Sequence, residues 1–267
     1  MSQKMKALLC AGLAVILLAV LAVLLATPRQ SRKAGAAENA SDEILQAQAT
    51  ELPDAPEVTP NSNPFVEISD DPAADGYFAD ALFIGDKLVK GLQLNDYDNI
   101  LAGADFITGT GEDEEDELTV TGGTAFLDDL EYDVYGKVYI CLGTEELRSD
   151  DDVIKASYTS LINEIRRHEP NAIIYIMSLP PISKYRCDSS YSYSLELLQE
   201  FNNNLRALAR ENGAYFLNIY SALCDEDGYL PSDVTEDGIH FTPAHYSGWF
   251  EYLRTHYVTD DTEDWDE

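Results

Sequence analysis

The stretch Ala81–Leu92, ALFIGDKLVKGL, decides the fold. Leu82, Phe83 and Ile84 make an apolar run suited to a buried strand. Gly85-Asp86 breaks that run, and Leu88, Val89 and Leu92 then recur at helical spacing. A strand turning sharply into a helix delivers the next residue to the carboxyl edge of a sheet, where open α/β folds keep their chemistry. That residue is Lys87.

Downstream, apolar strands alternate with amphipathic helices. Ala104–Ile107, Lys137–Leu142 (KVYICL), Ala172–Met177 (AIIYIM) and Ala214–Ile219 (AYFLNI) read as strands. Asp152–His168, Ser192–Asn212 and Pro243–His256 read as helices, the first with Val153, Ala156, Leu161, Ile162 and Ile165 on its apolar side. This alternation implies a parallel sheet covered on both faces, and continuous runs such as YICL and IIYIM fit such burial. The folded domain is expected over 76–258.

The ends differ. Ala7–Ala26 is an unbroken apolar run of about the 20 residues a helix needs to cross a bilayer. It lacks a clear small-x-small cleavage site, so residues 1–26 are read as a signal-anchor rather than a cleaved signal, with the folded domain outside the cell membrane. Residues 27–75, rich in Ala, Glu, Asp, Pro, Ser and Asn, read as a flexible stalk, and 259–267 as a frayed acidic tail. The net charge of −32, from 17 basic and 49 acidic residues, argues against a nucleic-acid partner. Cys10, Cys141, Cys187 and Cys224 have neither zinc-site nor CxxC spacing, and no metal or cofactor is expected. Cys141 reads as a core residue, while Cys187 and Cys224 are left open as a pair. The acidic run Glu112–Glu117 and the Asp225–Gly228 turn read as solvated loops.

Near the carboxyl end, Asp237-Gly238-Ile239-His240 precedes Phe241-Thr242-Pro243 and a helix. An aspartate three residues before a histidine in a loop can orient the imidazole for general-base work. Three blocks now stand in order: strand–Gly-Asp-x, Leu142-Gly143-Thr144-Glu145-Glu146-Leu147 after a middle strand, and Asp-x-x-His. This set resembles the SGNH (GDSL-type) hydrolases, in a form similar to membrane-anchored bacterial members. The resemblance implies a flavodoxin-like three-layer α/β/α sandwich and ester-hydrolase ancestry.

By that resemblance Asp237 and His240 match the acid and base of the family's triad. Lys87 falls at the position of the nucleophilic serine, and Glu145 at that of an asparagine that donates to the oxyanion. Gly143 and Gly111 match substrate-binding positions, with Gly103 and Gly109 as further candidates for the backbone donor. A lysine offers no hydroxyl, and an ionised carboxylate has no proton to donate. The expectation is therefore a catalytically degenerate protein acting in binding or scaffolding at the cell envelope, in which Lys87 pairs with Glu145. The alternative is an active esterase on envelope glycans or small acyl esters with a non-standard nucleophile. A third reading treats the chain as an acidic surface-display protein. Ser178, Ser183, Tyr185, Arg186, Tyr191 and Tyr193 rank lower, the tyrosines as surface aromatics of a mobile loop. His168 and His256 read as helix-end residues, and His245 as an unconvincing base.

Overall fold

A computed structural model describes residues 52–110 and 116–258. Strands β1 (Ala81–Gly85), β2 (Asp105–Ile107), β5 (Lys137–Cys141), β6 (Ile173–Met177) and β7 (Tyr215–Leu217) form one sheet in the order β2-β1-β5-β6-β7, every pair parallel. A separate antiparallel ribbon joins β3 (Gly109–Thr110) to β4 (Asp116–Glu117). The helices are α1 (Lys87–Leu94), α2 (Asp151–His168), α3 (Lys184–Ser189), α4 (Leu195–Glu211), α5 (Tyr220–Leu223) and α6 (Tyr246–Thr255). The strand order reverses between β1 and β5, the place where doubly wound sheets open a crevice.

One row of rings fixes the register across the sheet. Phe83 stands opposite both Phe106 and Tyr139, Tyr139 opposite Tyr175, and Tyr175 opposite Tyr215. The Phe83–Phe106, Phe83–Tyr139 and Tyr139–Tyr175 centroids lie 5.1, 4.5 and 4.6 Å apart in stacked geometry. Slipping any strand by one residue would turn its ring to the opposite face, so the row opposes slippage.

The helices start at polar caps: Asp86 for α1, Asp150 for α2 and Ser194 for α4 each accept a first-turn backbone N–H. Tyr246, Trp249, Phe250 and Leu253 of α6 are buried as their spacing predicts. On α2, Leu161, Ile162 and Ile165 are buried as expected, and the first turns differ. Ile154 and Tyr158 turn inward while Val153 is half exposed, and the Tyr158 hydroxyl donates to the Leu142 carbonyl at 2.7 Å. Cys141 is buried, and Cys187 and Cys224 are free thiols rather than a pair.

The expected stalk differs over its second half. Residues 61–73 lie along the domain: Phe216 N–H donates to the Pro64 carbonyl, Asn61 N–H to Arg210, and Ser69 and Ala73 N–H to Thr255 and Arg254. Phe65 bridges Phe216 in parallel, so the arm caps the outer edge of β7. That edge would otherwise leave backbone donors unpaired, which outweighs the low apolar content that suggested a free linker. The apolar run 7–26, the stalk's first half and the acidic tail lie outside the described residues. No helix among the described residues is long and apolar enough to cross a membrane.

Phe83→Ala tests the ring row. It should cost about 3–5 kcal/mol in urea unfolding. A loss below about 1 kcal/mol would show that the row does not hold the sheet.

Candidate functional site

The corner after β1 is set by close packing. A Cβ on Gly85 would meet the Val89 side chain at 2.1 Å and the Cys141 carbonyl oxygen at 2.8 Å, so only glycine lets α1 start against β5. Asp86 follows, buried, and its Oδ1 accepts the Leu88 N–H at 2.9 Å. Burial pushes its carboxyl up to about 6; the Leu88 amide and the neighbouring Thr144 hydroxyl oppose this, Glu117 adds to it, and His240 opposes it. Lys87, the first residue of α1, extends to Glu117, with Nζ 3.1 Å from Oε2. The expected pairing of Lys87 with Glu145 is replaced by this one, because the β3–β4 ribbon carries Glu117, opposite Gly109, to the corner.

The turn after β5 opens on Gly143, whose φ of +115° favours glycine and whose Cβ would lie 2.4 Å from the Phe201 ring. Two adjacent glutamates then part company. Glu146 is buried and accepts the N–H groups of Val120 (2.8 Å) and Thr121 (3.0 Å). Glu145 is exposed, and its Oε1 accepts the Tyr193 hydroxyl at 2.7 Å. Tyr193 is thus a buried partner of the site rather than a loose surface aromatic, whereas Tyr185 and Tyr191 are exposed. Burial, aided by Glu145 and opposed by Arg186, pushes its phenol up to about 12.

The loop before α6 brings Asp237 and His240 together. Its base is closed by Thr242 N–H donating to the Val234 carbonyl at 2.7 Å and by a Thr235–Phe241 bridge. Asp237 Oδ1 accepts the N–H groups of Ile239 (2.9 Å) and His240 (2.8 Å), and Oδ2 lies 2.6 Å from His240 Nδ1. Burial raises the Asp237 carboxyl, but the imidazole and the two amides outweigh it and hold the group well below the usual carboxylate range. An ionised carboxylate only accepts, so Nδ1–H donates and Nε2 is the ring nitrogen left to act as a base. Gly238, at φ +87°, lets the loop settle on Ser183, Tyr185 and Arg186, and its carbonyl accepts the Ser183 N–H at 2.8 Å.

The Asp86 carboxyl feels the charges of both Glu117 on the ribbon and His240 on the late loop. Among the glycines, Gly103 packs on Ala79, before β1 and so at the amino end of the sheet, while Gly109 follows β2 and pairs with Glu117. Gly111 lies outside the described residues. Ser178 is buried and accepts the Tyr220 N–H, and Ser183 caps α3. The rings of His168, His245 and His256 each face a backbone carbonyl. Glu117 and Tyr193 are partners that the sequence does not mark: the acidic run hides the first, and no local pattern points to the second.

The GDSL-like lipase/acylhydrolase family model matches residues 83–247. The chain belongs to this family. Against curated proteins it finds no match. Among solved structures, a Streptococcus pneumonia protein provisionally described as a platelet activating factor is 21% identical, with 65% of this chain and 81% of that one covered and a TM-score of 0.56. A GDSL-like lipase from Bacteroides thetaiotaomicron is 18% identical, with coverage of 67% and 88% and a TM-score of 0.51. At these identities the likeness shows the shared fold, which the five-stranded parallel sheet bears out.

Asp86→Asn keeps a helix cap while removing the buried charge. Because the folded carboxyl titrates above its unfolded value of 3.8, its charge opposes folding above about pH 6 and the penalty is relieved as pH falls toward 4. The variant should be more stable at pH 8 by on the order of 2–3 kcal/mol, an advantage that shrinks toward pH 4. Urea unfolding across that range checks it; a variant less stable than wild type at pH 8 contradicts it.

Proposed function

We propose that this family member is anchored in the cell membrane through residues 7–26, faces outward, and has given up ester hydrolysis for binding or scaffolding at the cell envelope. The supporting observation is what occupies the two replaced positions: the Lys87 ammonium is tied to Glu117, and the Glu145 carboxylate accepts from Tyr193. By family correspondence these are the serine and asparagine positions. An ammonium held in an ion pair has no electron pair with which to attack a carbonyl. A carboxylate at the donor position repels the oxyanion it should stabilise. Losing one oxyanion donor costs about 10²–10³ in rate, and losing a triad nucleophile about 10⁶ in a protease. Gly109 is the better candidate for the backbone donor, since it stands with Glu117 beside the corner.

One observation favours an active ester hydrolase on envelope glycans or small esters. The Asp237–His240 pair is intact at 2.6 Å and would orient Nε2 toward another nucleophile. The two readings separate on an activated acetyl ester. The wild-type chain should show no turnover above the uncatalysed rate, whereas Lys87→Ser combined with Glu145→Asn should gain at least about 10²-fold. In that double variant the Tyr193 hydroxyl can donate to the new amide's oxygen, leaving the amide N–H groups for the oxyanion. Wild-type turnover abolished by His240→Ala would establish the active reading instead.

A further inference from the structure

Two lysines at this edge of the sheet have carboxylate partners, whereas Arg186, like Arg148, has none among the described residues. Lys87 is paired with Glu117, and Lys184 with Asp188. Among the described residues no carboxylate pairs with Arg186, in a chain that carries 49 acidic side chains against 17 basic ones. Its guanidinium carbon lies 5.1 Å from the centre of the Tyr193 ring, and its Nε is buried without an acceptor. The stem is fixed too: a Cβ on Gly238 would lie 2.6 Å from Arg186 Cβ, so the arginine packs directly against the Asp237–His240 loop. A buried charged donor without an acceptor is costly, and the nearby acids do not relieve it. Glu145 is engaged by Tyr193, and Asp237 by His240 and two backbone amides.

We propose that Arg186 anchors an oxyanion group, carboxylate or phosphate, of the molecule bound at this site, beside the exposed ring of Tyr185. The Tyr185 hydroxyl donates to the Asp237 carbonyl at 3.3 Å, which keeps that ring next to the acid–base loop. A guanidinium offers a planar fork of donors that matches carboxylate and phosphate alike, and its place against Tyr193, to which it also hydrogen-bonds, holds it with no protein acid neutralising it. The inference names the ligand chemistry of the binding function proposed above and rests on that reading.

Calorimetric titration of the full-length chain in detergent micelles, at low salt, with inorganic phosphate and separately with glucuronate, tests it. At least one probe should bind saturably, about tenfold or more weaker in Arg186→Gln and several-fold weaker in Arg186→Lys, which keeps charge but loses the fork. Arg148→Gln, whose guanidinium lies on Tyr191, should bind as wild type does. Binding of phosphate alone identifies a phosphoryl ligand, and of glucuronate alone a carboxylate. Absence of saturable binding of either probe up to about 50 mM overturns the proposal, as does unchanged affinity in Arg186→Gln. If Arg186→Gln does not fold, unchanged affinity in Arg186→Lys overturns it. Ester turnover measured on the same sample reports separately on the loss of hydrolysis, so either idea can fail without the other.

Discussion

Stacking of Phe83 on Tyr139, within a row of rings that crosses the sheet, pins β1 and β5 in the register that sets Gly85 opposite Cys141. Both site loops therefore leave the sheet at one level, at the reversal of strand order. The missing side chain at Gly85 lets α1 begin at once, and the buried Asp86 carboxylate holds its first turn. Everything at the carboxyl edge inherits its position from that register. The ribbon comes to the corner through Glu117, the turn after β5 is fastened by Glu146 on Val120 and Thr121, and the late loop rests on α3 through Gly238.

The site is a set of polar groups that have found partners. Asp237 orients His240, Glu145 receives Tyr193, and Lys87 meets Glu117. The Lys87 ammonium is largely exposed, so its ion pair adds little stability. Its consequence under the proposed reading is chemical, since by family correspondence it puts an already neutralised charge where the attacking group would stand. Arg186 has no carboxylate partner among the described residues, and its buried Nε lacks an acceptor.

The fold was legible because its signals are local. ALFIGDKLVKGL carries a strand, a break and a helix within twelve letters, and KVYICL and IIYIM announce strands buried on both faces. The Asp237–His240 pair was legible because both residues sit in one short loop. Partners distant in sequence were not: nothing near Lys87 names Glu117, 30 residues on, and nothing near Glu145 names Tyr193, 48 residues on. The arm over β7 escaped for a related reason. Its hold comes from backbone hydrogen bonds along a sheet edge, which composition does not register. On α2 the pattern placed Leu161, Ile162 and Ile165 correctly but took Val153 and Ala156 for the buried Ile154 and Tyr158, because Tyr158 reads as amphipathic until its hydroxyl finds the Leu142 carbonyl.

Under the proposed function, this family fold no longer holds an activated nucleophile. Treating the full-length chain with a fluorophosphonate that labels activated serines, and mapping adducts by mass spectrometry, measures this most directly. The wild-type chain should remain unmodified. A stoichiometric adduct on any serine, Ser178 or Ser183 included, that disappears in His240→Ala would contradict it.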